Sequence, residues 1–246
     1  PTTSGSGSEV TSFSILSHEG VKHPLVDPTL RPDAAILDDS LLDGLPPSLI
    51  ADTGMDLLAH CLEACCARGR NAFTDAMAHG AAKTALCFLT ASYHGDKTVR
   101  RSLHEAAAMA GIAFDNAGLG LCHALAHAMG GVFHLPHGRL CAILLPHVMA
   151  YNAPSAGEAY LSLAAACGMT ASSKTMALRS LTAAIVRLRT SLKMPGTLAQ
   201  AGIPRDEAVA CKQGVLAAAM ADSCCRSNPA PVTEEAVVRI YEAVMG

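Results

Sequence analysis

The spacing of apolar residues divides the chain at about residue 45. From Pro46 onward, apolar positions recur at helical intervals, and Pro46 and Pro47 suit the first turn of a helix. The pattern predicts a first helix from Pro46 that carries Leu49, Ile50, Leu57, Leu58, Leu62 and Cys65, followed by helices near 73–93, 98–114, 120–130, 138–151, 156–167, 173–192, 205–221 and 233–245.

The first forty or so residues follow a different pattern. The β-branched run from Val10 to Leu16, a second extended piece from Val21 to Val26 and a third from Ala34 to Leu37 predict short strands, separated by turns rich in Pro and Asp. Three such strands cannot bury both faces of a sheet. We therefore expect residues 1–45 to be the remnant of an α/β domain, and residues 46–246 to be an all-helical domain.

Composition supports a helical core and limits the partners. Half of the residues are hydrophobic but only 4% are aromatic, which favours closely packed helices of Ala, Leu, Val, Ile and Met. The net charge is -3 without a Lys/Arg run, so we expect no nucleic-acid partner. No apolar stretch reaches the roughly 18 residues of a membrane span, so we expect a cytoplasmic protein without a membrane partner. Ala-rich helices suit a homo-oligomer interface as well as a core.

The ten cysteines show neither a framework spacing nor a C-x-x-C pair. They are expected to be reduced, buried small hydrophobic residues, and a zinc-thiolate site is disfavoured.

Asp56 and His60 are four residues apart in the first predicted helix, so their side chains leave the same face one turn apart. That arrangement is one way to present two metal ligands. By itself it is more often a surface pair or a hydrogen-bonded core histidine.

His123 and His127 repeat this spacing in an apolar, Ala-rich helix, and His137 follows a Gly-Gly break. Convergent buried imidazoles need partners, and a metal site would supply one. With Asp56 and His60 there are five candidates, one histidine more than a set of three His and one Asp, and the spacing does not choose among them. Such N/O ligands suit Fe(II), Zn(II), Mn(II) or Co(II), acting as a Lewis acid on a carbonyl or an alkoxide.

The opening P-T-T-S-G-S-G-S-E-V-T offers hydroxyls and flexible backbone N–H groups before a strand. That chemistry fits a phosphate or a ribose, and it equally fits a flexible linker.

Several motifs in this order resemble those of the iron-containing, metal-dependent alcohol dehydrogenases. They are the opening loop at 1–11, L-R-P-D-A-A-I-L-D at 30–38, A-D-T-G-M-D-L-L-A-H-C-L-E at 51–63, G-L-G-L-C-H-A-L-A-H-A-M-G at 118–130, L-P-H-G at 135–138, L-L-P-H-V-M-A-Y-N at 144–152 and D-S-C-C-R-S-N-P at 222–229. Within the family, the chain is most similar to the propanol dehydrogenase and lactaldehyde reductase branches.

The resemblance implies a mainly α fold: a dehydroquinate synthase-like helical metal-binding domain after the short β remnant of a nucleotide-binding domain. It implies NAD(H)-dependent interconversion of short primary alcohols and aldehydes with Fe(II), Zn(II) or another divalent ion. By resemblance, Asp56, His60, His123 and His137 hold the metal, and His127 lies at the reaction centre. Cofactor-contacting positions implied in the same way are Thr2, Thr3, Ser6, Lys22 and Leu42.

One departure from the family pattern leaves alternatives open. The family's preceding Gly-rich pyrophosphate turn is not in this sequence, which makes a truncated, catalytically incomplete metal-binding module the main alternative. A zinc-dependent polyol dehydrogenase or a metal-dependent lyase of the same architecture is another. His134 has no assigned role, His147 is expected to be a packing or capping residue, and surface positions are expected for His18, His23, His79, His94 and His104.

Overall fold

The computed structural model describes residues 1–18 and 21–246, without the side chains of residues 17 and 21–23. Most of this part of the chain is helical, which confirms the expected mainly α class. Two strands, β1 (Phe13–His18) and β2 (Val21–Val26), pair antiparallel. The helices are α1 (Pro47–Cys66), α2 (Ala72–Tyr93), α3 (Arg100–Ala117), α4 (Leu121–Phe133), α5 (His137–Ala166), α6 (Lys174–Ser191), α7 (Arg205–Ala221) and α8 (Glu234–Met245).

Local sequence explains where several helices begin. Pro47 occupies the first position of α1, where its missing N–H costs nothing. Asn71 caps α2 by accepting from the backbone N–H groups of Phe73 and Thr74, and Thr74 completes a capping box. Ser173 caps α6 by accepting from the N–H of Met176. These starts lie within a residue or two of the predicted ones.

The predicted third strand is wrong. Residues 34–37 form no strand, and residues 34–36 are solvent-exposed, with Ile36 80% exposed. The chain then enters a short 3₁₀ helix, Asp39–Leu42, that Asp38 caps through the N–H of Ser40. Among the described residues no strand lies beside this segment, so β propensity alone does not produce one.

Two predicted helices, 138–151 and 156–167, are a single helix, α5. Pro146 and Pro154 both lie inside it. A proline removes one backbone donor from a helix interior and normally interrupts it. Here the region is fixed from outside, because the buried Asn152 side chain exchanges two hydrogen bonds with that of Asn228. The predicted Gly-Gly break is also absent: α4 runs through Gly130 and Gly131 and ends at Phe133, and the next residue, His134, adopts a left-handed conformation with φ of 55°.

Helix α1 is the centre of the domain. Sixteen of its 20 residues are buried, and it packs against α2, α3 and α5. A helix covered on all sides has no solvent face for its polar residues. The carboxyl groups of Asp56 and Glu63 and the imidazole of His60 therefore need partners inside the protein.

The N-terminal segment packs on α1 and α3. Gly7 has a φ of +62°, and a Cβ there would lie 2.7 Å from the Cα of Gly111 in α3. Further along, Asp115 accepts from the N–H and the hydroxyl of Ser12 and pairs with Arg31. These contacts hold the residues before β1 over the side of the helical domain where His60 lies. None of the helices in the described part of the chain has a stretch long and apolar enough to cross a membrane.

Gly138, in the first turn of α5, permits a close approach to α1. A Cβ at this position would lie 1.7 Å from the carbonyl oxygen of Asp52, so any side chain must push the two helices apart. We expect Gly138→Ala to destabilise the protein by about 3 kcal/mol, the upper part of the range for overpacking. Gly214, in α7, is a matched control: a Cβ there meets no atom within 4 Å. Gly214→Ala should stabilise by about 0.5–1 kcal/mol. Urea unfolding measures the free energy of unfolding of both variants. Equal changes in Gly138→Ala and Gly214→Ala would contradict the prediction.

Candidate metal centre

Three imidazoles from three helices surround one carboxylate oxygen. The Nε2 atoms of His60, His123 and His137 lie 3.7, 3.6 and 3.4 Å from Oδ1 of Asp56. Asp56 and His60 come from α1, His123 from α4, and His137 is the first residue of α5. The structure therefore brings together the four residues that the resemblance implied as ligands.

Hydrogen bonds on the far side of two rings fix which nitrogen faces the centre. His60 Nδ1 donates to the carbonyl of Gly5 at 3.2 Å, and His123 Nδ1 donates to Oε2 of Glu63 at 2.5 Å. Carbonyls and carboxylates only accept, so both Nδ1 atoms carry hydrogen and both Nε2 atoms face Asp56. The Nε2 atom of His123 is buried and has no hydrogen-bond partner among the described residues.

Glu63 is a residue that the spacing argument missed. Besides His123, its carboxylate accepts from the backbone N–H groups of Gly120 at 3.0 Å and Cys122 at 2.7 Å, at the start of α4. A negative charge at a helix N-terminus is favourable because the first N–H groups have no partner within the helix. Glu63 thus fixes both the start of α4 and the orientation of His123. Its place one turn beyond His60, in a predominantly apolar stretch of helix, was the available signal in the sequence.

The charges in the cluster shift its pKa values strongly. Burial raises the pKa of Asp56, but the three imidazoles outweigh it and hold that pKa well below its usual range. Burial lowers the pKa of His60 to about 4 and that of His137 to about 3, against the attraction of Asp56. Burial would also lower the pKa of His123, but the nearby carboxylate of Asp56 and the hydrogen-bonded carboxylate of Glu63 raise it to about 10.

This arrangement fits a divalent metal ion. Ligand atoms at about 2.1 Å from a tetrahedral ion lie about 3.4 Å from one another, close to the spacing of Asp56 and the three Nε2 atoms. The Nε2 atom of His123 is buried beside an ionised carboxylate and has no hydrogen-bond partner among the described residues. A bound cation would provide a partner for both groups. Three nitrogens and one oxygen suit Fe(II), Zn(II), Mn(II) and Co(II).

Metal binding should release about one proton at pH 7, because a bound imidazole must give up its Nε2 hydrogen. His123, with a pKa of about 10, is protonated at pH 7 in the metal-free site, whereas His60 and His137 are already neutral. The apparent affinity should therefore rise about tenfold per pH unit from about pH 5 to pH 9. Calorimetric titration in two buffers of different ionisation enthalpy measures the proton count. Release of no proton, or of two, would contradict this charge assignment.

A thiol also lies beside the ligands. Cys141 Sγ is 3.6 Å from His137 Nε2 and 3.9 Å from Asp56 Oδ1, one turn into α5. Burial raises the pKa of Cys141 well above its ordinary value, so the group is a neutral thiol at pH 7. All ten cysteines are free; six are buried, and Cys87 is exposed against expectation.

His127, one turn after His123, pairs with a different carboxylate, that of Asp222. Its ring stacks on that of His137 with centroids 5.1 Å apart, and its Nδ1 donates to Oδ2 of Asp222 at 2.9 Å. Burial raises the pKa of Asp222, but its hydrogen bond with His127 and the charge of that ring outweigh burial and lower it. Asp222 belongs to the D-S-C-C-R-S-N-P segment, and spacing gave no sign of its contact with His127.

A cavity of about 420 Å³ opens over the cluster. Asp56 and all four histidines line it, with apolar walls from Phe13, Ile15, Phe114 and Leu119 and hydroxyls from Ser6, Ser8, Thr11 and Ser14. Phe114 stacks on the His60 ring at a centroid distance of 4.3 Å. The cavity combines a polar floor with an apolar wall, which suits a small molecule that has one oxygen and a short carbon chain.

The predicted cofactor-contacting residues are spread over the N-terminal part of the chain. Ser6 lines the cavity, and Thr2 and Thr3 lie on the same N-terminal segment. Leu42 is buried and lines a separate cavity of about 20 Å³ beside Arg100. Lys22 is in β2, and its side chain is outside the described residues.

The other histidines have different surroundings. His104 is buried, so its expected surface position is wrong: its Nδ1 forms a hydrogen bond with Ser4 Oγ at 2.9 Å, under the N-terminal segment. His79 and His147 are half-buried, and His134 is exposed at the end of α4. Exposed positions are confirmed for His18 and His94, and the side chain of His23 lies outside the described residues.

Comparison with known proteins gives matches over the whole chain. Residues 50–245 match the model of the Fe-containing alcohol dehydrogenase family, C-terminal, and residues 1–39 match that of iron-containing alcohol dehydrogenase. The chain is 42% identical over 253 residues to 1-propanol dehydrogenase PduQ of Salmonella typhimurium, a match that covers 100% of this chain and 68% of that protein. It is 37% identical over 246 residues to the NADPH-dependent butanol dehydrogenase of Clostridium saccharobutylicum, covering 99% and 63%.

The fold is likewise similar to that of a solved relative. The iron-containing alcohol dehydrogenase from Thermococcus thioreducens superposes with a TM-score of 0.90 at 35% identity, covering 99% of this chain and 63% of that one. The chain therefore spans about two thirds of the length of the proteins that it matches.

Proposed function

The chain belongs to the iron-containing alcohol dehydrogenase family, and from this premise we propose that its protein interconverts short primary alcohols and aldehydes with NAD(H) and a divalent metal, Fe(II) first. The resemblance inferred from the motifs is confirmed at the level of the family. The similarity to a propanol dehydrogenase supports a short aliphatic substrate.

One observation carries the proposal: three Nε2 atoms converge within 3.7 Å of Asp56 Oδ1 on the floor of the 420 Å³ cavity. Asp56, His60, His123 and His137 would hold the ion. Once bound, the ion would supply Lewis acidity to a substrate oxygen, and the nicotinamide would supply or accept the hydride. The rings of His60 and His123 are held by hydrogen bonds to Gly5 and Glu63 before any ligand binds, which reduces the reorganisation needed during the reaction.

The other residues that line the cavity would contact the substrate, exchange a proton with it or contact the cofactor. Phe114, Leu119 and Ile15 offer apolar surface to a short carbon chain and exclude water from it. His127 lines the same cavity and its Nδ1 pairs with Asp222, so its Nε2 would be available to exchange a proton with the substrate oxygen. Ser6 and its neighbouring hydroxyls face the cavity from the N-terminal segment, where they would contact the cofactor.

The test is reduction of short aldehydes by the protein to which this chain belongs, after removal of metal and reconstitution with Fe(II), Zn(II) or Co(II). We expect consumption of NADH, with NADPH as the comparison cofactor, that depends on both aldehyde and metal. Propanal, butanal and lactaldehyde are suitable substrates. Tight metal binding with no turnover of any aldehyde and either cofactor would instead favour a metal-binding module without catalysis.

A further inference from the structure

Asp222 and His127 form a buried pair beside the metal ligands. His127 Nδ1 donates to Asp222 Oδ2 at 2.9 Å, and the two side chains are 7% and 5% exposed. With Nδ1 engaged on the protein side, Nε2 is the ring nitrogen available to the cavity that His127 lines.

The aspartate is itself rigidly held. Its second oxygen, Oδ1, accepts from the N–H of Cys224 at 2.8 Å and caps the 3₁₀ helix Ser223–Ser227. The segment is fastened to the start of α4 at two more points: Ser227 Oγ donates to the carbonyl of Leu119 at 2.6 Å, and the buried Asn228 accepts from the N–H of Leu121 at 3.1 Å. The carboxylate that meets His127 is therefore anchored to the helix that carries His127.

We propose that Asp222 is a positioning residue that keeps His127 in the Nδ1–H form, with the lone pair of Nε2 directed to the substrate. The proposal rests on the proposed function. In alcohol oxidation, the hydroxyl proton would pass to Nε2, directly or through one water, and the oxidised nicotinamide, when bound, would supply the hydride acceptor. The imidazolium then has the Asp222 carboxylate as its counter-charge, and aldehyde reduction returns the same proton to the oxygen.

An acidic partner has two effects on such a histidine. It selects one of two tautomers that are otherwise close in energy, and it stabilises the charged ring that forms during proton transfer. Asparagine at this position fits in the same space but has no charge, and its amide can rotate to donate to Nδ1. Asp222→Asn should therefore allow His127 to adopt the Nε2–H tautomer as well, while a side chain of the same size still occupies position 222.

The decisive experiment compares Asp222→Asn, His127→Ala and the double variant in the full-length, metal-loaded protein. We expect Asp222→Asn to lower kcat about 100-fold, with KM for the aldehyde and the metal affinity changed less than about threefold. Because Asp222 acts through His127, the double variant should be no slower than His127→Ala alone. Asp206→Asn, an exposed change at the start of α7, is the matched control and should leave kcat unchanged.

A second readout does not depend on turnover. In Zn(II)-loaded protein with ¹⁵N-labelled histidine, the His127 ring, identified by its loss in His127→Gln, should show hydrogen on Nδ1 and a bare Nε2. In Asp222→Asn both tautomers should appear. This measurement remains valid if the wild type reduces no aldehyde, so failure of the proposed function and failure of this inference can be distinguished.

Four outcomes would overturn the inference. The first is additive losses in the double variant, and the second is metal affinity that falls in parallel with kcat. The third is a second equivalent of bound metal that Asp222→Asn removes, since donor atoms of His127, Asp222 and Cys224 lie within 4.8 Å of one another. An unchanged tautomer in Asp222→Asn would also contradict it.

Discussion

Asp56→Asn is expected to lower the affinity for Fe(II) or Zn(II) by more than about 100-fold, beyond the loss typical of a group that only supports a ligand. Oδ1 of Asp56 is the atom on which all three Nε2 atoms converge, and it provides the only negative charge among the four ligands. The amide keeps the size of the side chain and removes that charge. Aldehyde reduction at limiting metal should fall in proportion.

Competition with a fluorescent chelator measures the loss at the Asp56 site. Asp75→Asn provides the control, because Asp75 lies in α2 and pairs with Arg70 at the surface. Its metal affinity should equal that of the wild type. Metal affinity retained in Asp56→Asn would contradict the assignment of this carboxylate as a ligand.

Glu63→Ala is expected to destabilise the metal-free protein by about 3–5 kcal/mol, the usual cost of removing one partner from a buried ionic pair. It leaves the N–H groups of Gly120 and Cys122 without their acceptor and releases Nδ1 of His123. For a domain of this size the melting temperature should fall by about 10 °C. Metal affinity should fall too, since His123 loses the contact that orients its ring.

Thermal and urea unfolding measure the stability change at Glu63. Glu105→Ala is the matched control, because Glu105 is exposed and pairs with Arg101 one turn away on α3. We expect Glu105→Ala to change the free energy of unfolding only slightly. Glu63→Gln should lie between the wild type and Glu63→Ala, because one of its oxygens is replaced by a donor that faces other donors. Equal stability of Glu63→Ala and Glu105→Ala would show that α4 starts without the carboxylate.

The ligand set illustrates how far sequence reasoning extends. Helical spacing placed Asp56 with His60 and His123 with His127 on common faces, because a turn of helix is a short-range property. Spacing could not decide which histidine stays off the metal, since that depends on how α1, α4 and α5 pack. The resemblance named the set, and the structure shows His127 turned to Asp222, 95 residues away in sequence.

The misjudged elements share a physical cause. Residues 34–37 have strand-like composition, but among the described residues no neighbouring strand pairs with them. The apolar pattern predicted a helix end near residue 151, but α5 continues through it, where Asn152 and Asn228 exchange hydrogen bonds. The sequence predicted a surface position for His104, but the N-terminal segment covers this residue in the structure, and Ser4 forms a hydrogen bond with its ring. In each case a contact distant in sequence, or its absence, overrides a local preference.

The carbonyl of Gly5 accepts a hydrogen bond from a metal ligand, His60, and belongs to the same N-terminal segment as Ser6. Thermodynamic linkage follows from this one contact. Any molecule that binds the segment and shifts Gly5 must change the affinity for metal, and metal must change the affinity for that molecule by the same factor. Occupancy at one site would then report on the other, so measured dissociation constants have meaning only with the second ligand's concentration stated.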